Sequence, residues 1–90
     1  MTREIRLEEA RKAGSEFAWL RGDELRVGDT IKVWWSGPDD TCLATIRGLT
    51  PYDGPHKRER IWRGAQKASL TTIRTGMMIF ADDNFEVGVK

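Results

Sequence analysis

Hydrophobic and polar positions change their period near residue 17. Before it, residues 4–13 (Glu-Ile-Arg-Leu-Glu-Glu-Ala-Arg-Lys-Ala) hold neither Gly nor Pro and place acids early and bases late, an order that suits the helix dipole. Thr2, or Thr2-Arg3, supplies a cap, and Gly14 stands where a helix would stop. The spacing predicts a short helix whose thin apolar stripe, Ile5, Leu7, Ala10 and Ala13, lays it on the edge of the fold. A strand over 4–7 followed by a shorter helix is the competing reading.

From Phe17 the period is two. Residues 17–20 read as a strand and 21–24 as a turn. Val27-Gly28-Asp29 is a tight turn or bulge before a strand. In that strand Ile31, Val33 and Trp35 share one face and Thr30, Lys32 and Trp34 the other. Residues 36–40 form a loop. From Thr41 to Leu49 the chain alternates again, Cys42, Ala44 and Ile46 against Leu43, Thr45 and Arg47. Pro51 and Pro55 interrupt the sheet. Ser69 to Thr75 is β-branched and strand-like, and Met77 to Asp82 is a further strand. Asp83-Asn84 suits a two-residue turn, predicting a hairpin that pairs Phe80 with Val87 and Met78 with Val89, with Phe85, Val87 and Val89 on the core face.

Five to six short antiparallel strands and one helix give a single domain of α+β class, mainly β. Its expected form is a small SH3-like barrel or a strongly bent antiparallel sheet. Residues 1–16 would be the helical segment and 17–90 the barrel-like core, with a basic insertion at about 51–68. The phrase Leu25-x-Val27-Gly28-Asp29-x-Ile31-x-Val33 resembles the opening strand of SH3-like and related small barrels, and alone it specifies no family.

Composition narrows the function. Ninety residues bury a modest core, which four tryptophans, at roughly 200 Å² each, partly offset. The single cysteine, Cys42, excludes an internal disulfide and, with no apolar run of spanning length or signal type, predicts a cytoplasmic protein without a membrane. One histidine, His56, and one cysteine make no zinc site. The acidic pairs Asp39-Asp40 and Asp82-Asp83 sit at turn signals and read as turn residues. No phosphate-cradling glycine loop is present. The sequence therefore points to no enzyme and no cofactor.

Charge supplies the one functional lead. Residues 57–67 hold five of the 15 basic residues and one acid, Glu59, for a net +4, while the whole chain carries +1. A helix here would align Lys57, Arg60, Arg63 and Lys67 on one side and turn Ile61 to the sheet, although Gly64 weakens it by about 1 kcal/mol. As a long loop, the segment would have Trp62 as an anchor or exposed. Cations at this density suit phosphate oxygens, and an aromatic ring beside them can stack on an unpaired base. The candidate site is Lys57, Arg58, Arg60, Trp62, Arg63 and Lys67, with Trp34 as a second stacking surface and Arg47, Arg74 and Lys32 extending the patch. Trp34 is expected under the N-terminal helix. Uncovered, with Tyr52 near, it would be a contact hot spot. The leading reading is a binding module for nucleic acid or another polyanion. The alternative is a protein-interaction or assembly module, a homodimer or a component of a larger particle, that uses the tryptophan-bearing sheet face.

Overall fold

The computed structural model describes residues 2–37, 39–71 and 76–89, and of residues 35–37 the backbone alone. The predicted strand stretch 72–75, with Arg74, and the side chain of Trp35 lie outside the described residues.

Helix α1 (Arg3–Lys12) forms where its signals place it. The Thr2 hydroxyl accepts the Ile5 N–H at 3.3 Å, and Gly14 ends the helix at φ +76°. No residue of α1 is buried. Ile5 is 48% exposed, and Leu7 alone reaches the core, at its margin. Polar contacts hold α1 to the body. Arg3 donates to both carboxylate oxygens of Asp29, at 2.7 and 2.6 Å, and to the Glu24 carbonyl at 3.1 Å. Arg6 pairs with Glu24, and Arg11 Nε donates to the Val89 carbonyl at 2.5 Å. Asp29 is the one buried charged residue among those described. Its carboxylate also takes the Arg26 N–H, and its backbone carbonyl takes the N–H of Ile46. The predicted turn at 27–29 is present, with Gly28 at φ +100°, and it seats this carboxylate.

Six strands follow: β1 (Phe17–Arg21), β2 (Thr30–Gly37), β3 (Asp40–Pro51), β4 (Gln66–Leu70), β5 (Met77–Ile79) and β6 (Asn84–Gly88). They form one antiparallel sheet in the order β1-β6-β2-β3-β4-β5. The mainly β reading holds. The sheet does not close into a barrel, because β1 and β5 remain its two edges. The long strand β3 pairs with β2 through its first half and with β4 through its second, with a register shift between Ile46 and Gly48. An extra residue of this kind bends a strand. The inner face gathers Leu20, Ile31, Ile46, Ile79 and Val87, all fully buried, each worth about 1.5–3 kcal/mol of burial. The alternation predicted for β2 and β3 is met: Val33 and Ala44 are buried, Cys42 packs at the core margin, and Trp34 and Leu43 face out. No helix among the described residues is long and apolar enough to cross a membrane.

The predicted hairpin does not form. β5 pairs with β4, Gln66 opposite Ile79, while β6 inserts between β1 and β2, Trp19 opposite Glu86 and Ile31 opposite Val87. The chain turns at 80–83, where Asp83 N–H donates to the Phe80 carbonyl. The inner-face pattern of Phe85, Val87 and Val89 holds regardless, because alternation fixes a face and not a neighbour. At this corner Gly22 donates to the Asp83 carbonyl at 2.7 Å, and a side chain at Gly22 would collide with the Phe80 carbonyl.

Candidate functional site

The basic segment lies in the connection from β3 to β4. Its base closes where Tyr52 N–H donates to the Ala65 carbonyl at 3.0 Å, beside the Pro51–Gln66 pair. Within it the chain makes turns and one 3-10 turn, Arg60–Trp62, rather than the predicted helix. Two positive φ angles break the regularity, His56 at 61° and Gly64 at 76°. At Gly64 a non-glycine residue would be strained. The second cause is Trp62. Its ring stacks on Tyr52 with centroids 4.2 Å apart and planes 16° apart, and it tilts against Phe80 at 5.1 Å. Each aromatic pair adds about 0.5–1.5 kcal/mol beyond burial. This places Trp62, and not Ile61, against the body. Ile61 is 64% exposed, the reverse of the helical expectation.

The cations divide into committed and uncommitted groups. Lys57 Nζ meets Asp53 Oδ1 at 2.5 Å. Their hydrogen bond, more than their charge attraction, holds the Asp53 carboxyl below its usual range and raises the Lys57 ammonium. His56 Nδ1 faces Glu59 Oε1 at 3.0 Å. Arg58, Arg60, Arg63 and Lys67 are exposed, and none makes an ion pair or side-chain hydrogen bond among the described residues. Arg47 is likewise exposed on β3. Lys32 does not extend this set, because it lies 3.6 Å from Glu86 and 4.7 Å from the centre of the Phe17 ring.

Six of the seven predicted site residues thus share one loop and the start of β4, and Trp34 stands elsewhere. It is 67% exposed, so the helix does not cover it. Trp19 at 60% and Leu43 at 49% lie with it on the outer face of the sheet. Two shallow clefts border Trp34, of about 310 and 460 Å³, and no residue of 57–67 lines either. Tyr52 belongs to the Trp62 stack and is not a neighbour of these clefts. The residues that sequence reasoning missed are Tyr52 and Phe80 as anchors of Trp62, and Asp53 as the partner of Lys57. The 53–57 spacing was a readable signal for that pair; a ring contact 18 residues away in sequence was not.

Cys42 packs at the core margin, and His56 sits exposed beside Glu59. Among the described residues no three His, Cys, Asp or Glu side chains gather to hold a metal ion. What the loop can do chemically is present guanidinium and ammonium groups to anions from a fixed base. Compared with known protein families, curated proteins and solved structures, the chain matches none of them.

Proposed function

We propose that the protein is a non-enzymatic binding module that contacts nucleic acid or another polyanion through the β3–β4 loop. One observation carries this reading: Arg58, Arg60, Arg63 and Lys67 have no partner among the described residues, on a loop whose backbone is anchored by Trp62. Cations without intramolecular partners can bind phosphate without breaking a contact, and an anchored loop loses less conformational freedom on binding. Arginine adds bidentate geometry. Trp62 serves as the anchor, since Tyr52 and Phe80 engage its ring.

The test is fluorescence anisotropy with labelled single- and double-stranded DNA and RNA at low and moderate salt. Native protein is expected to bind at micromolar concentration or tighter. Its log affinity should fall by about 0.9 per log salt for each duplex phosphate contacted. The Arg60→Glu/Arg63→Glu variant should keep its fold and lose binding. Absence of binding by native protein at low salt would overturn the proposal. A second reading, a protein-interaction surface, is favoured by the exposure of Trp19, Trp34 and Leu43 on one sheet face, since exposed aromatic clusters mark contact sites.

A further inference from the structure

The larger cleft beside Trp34 has an unusual lining. Side chains on the face of a strand alternate, so a cavity on a sheet face meets every second residue. This cleft instead meets three runs of consecutive residues, 32–34, 77–78 and 83–85. A cavity that meets neighbours in sequence lies along the edge of a strand. One wall is β5, which pairs with β4 on one side and with no described strand on the other. The opposite wall is β2 with the start of β6, two strands registered to each other only at Ile31 and Val87. The cleft is therefore a seam between the free edge of β5 and the facing ends of β2 and β6.

From this seam we infer a docking site for one extended peptide strand from a protein partner, added to the free edge of β5. This deepens the protein-interaction reading and rests on it. An open β edge offers unpaired main-chain donors and acceptors, and an added strand satisfies them. Met77, Phe85 and Trp34 supply apolar walls for alternate side chains of the guest. Asp83 lines the same cleft, is exposed and has no side-chain partner among the described residues. The other charges nearby, Lys32 and Glu86, satisfy each other. The guest this chemistry favours is an extended segment that alternates aliphatic and basic residues. A second copy of the chain fits less well, because β5 (Met77–Ile79) carries no basic residue to meet Asp83 across a symmetric pair.

The probe is the peptide acetyl-Lys-Val-Lys-Val-Lys-Val-amide. Three comparison peptides go with it: one with glutamate in place of lysine, one with every valine amide methylated and one with every lysine amide methylated. The readouts are tryptophan fluorescence and hydrogen exchange of the Met77–Ile79 amides. The native chain should bind the basic peptide and gain exchange protection at β5. One of the two methylated peptides, whose blocked amides face β5, should bind at least tenfold more weakly. The glutamate peptide should be weaker, Trp34→Ala should reduce affinity, and Arg60→Glu/Arg63→Glu should leave it unchanged. Equal binding by both methylated peptides, or protection absent from β5 while Trp34 fluorescence still responds, would overturn the seam and leave a face-binding surface. No binding by any peptide at millimolar concentration would overturn the seam and the protein-interaction reading together. A dimer whose β5 amides are already protected would replace the partner with a second copy.

Discussion

Helix α1 and the β3–β4 loop both lie outside the sheet, and both are rich in arginine. They are held in opposite ways. In α1 the guanidinium groups are the fastening: Arg3 on Asp29, Arg6 on Glu24, Arg11 on the Val89 carbonyl. No residue of the helix is fully buried and Leu7 alone reaches the core margin, so its docking is largely polar. In the loop the fastening is aromatic, Trp62 between Tyr52 and Phe80, and Arg58, Arg60 and Arg63 are left without a partner among the described residues. The lesson is that the number of arginines in a segment says little about what the segment binds. What decides is whether something else already holds the segment in place.

The comparison is broken most strongly at Asp29. Asp29→Asn keeps an acceptor for the Arg26 N–H and removes the charge that Arg3 needs. Both partners of this pair are largely withdrawn from water, at 15% and 9% side-chain exposure. Leaving one charge behind in such a place should cost about 3 kcal/mol, seen as a fall in melting temperature of more than about 10 °C. Because this damage lies in the α1 fastening, polyanion affinity measured well below the melting point should equal that of native protein. A parallel loss of affinity would show that the two segments are coupled.

The next effect lies at the other fastening. Trp62→Ala removes a ring that is half-buried, so the loss should be about 2 kcal/mol, less than for a fully buried tryptophan. Here stability and binding should fall together, because the cations lose their fixed base and binding must order the loop. Affinity should drop about tenfold, equivalent to about 1.4 kcal/mol, with the salt slope retained. Trp62→Phe, which keeps a ring for Tyr52, should recover most of both. Thermal melts and anisotropy titrations on the three proteins check this. Native affinity in Trp62→Ala would mean that the loop needs no anchor.

Helix α1, its cap, the 27–29 turn and the facing of β2 and β3 were legible because each follows from a local rule of period or turn chemistry. The order of the sheet was not. Val87 must point inward whether its neighbour is Phe80 or Ile31, so the pattern could not tell a hairpin from an insertion between β1 and β2. The basic loop shows the same limit. Its charge was plain in the sequence, yet the helical pattern placed Ile61 inward, because no local rule records that Tyr52 and Phe80 together hold Trp62. The partners of Arg3 and Arg6 lie 26 and 18 residues away. For that reason arginines already committed to the fold could not be told from free ones by reading along the chain. The seam beside β5 exists only once strand order is known.

The smallest effect tests the rule inside the loop itself, at Lys57, which Asp53 ties down. The Lys57 hydrogen bond lowers the Asp53 carboxyl below its ordinary 3.8. A carboxylate whose value is depressed on folding stabilises the fold above its unfolded value, and the contribution is lost as pH falls through the depressed one. Acid below the ordinary carboxylate range therefore frees Lys57, and at neutral pH Asp53→Asn should do the same. The pair is fully exposed, so the melting temperature should not move measurably. What should change is the salt dependence. If Lys57 joins the contact, the slope steepens by about 0.9 for duplex DNA and affinity rises a few-fold at low salt. An unchanged slope would mean that a cation held by an exposed carboxylate was never withheld from the ligand. The line between committed and uncommitted charge would then run only between buried partners, such as Asp29, and all the rest.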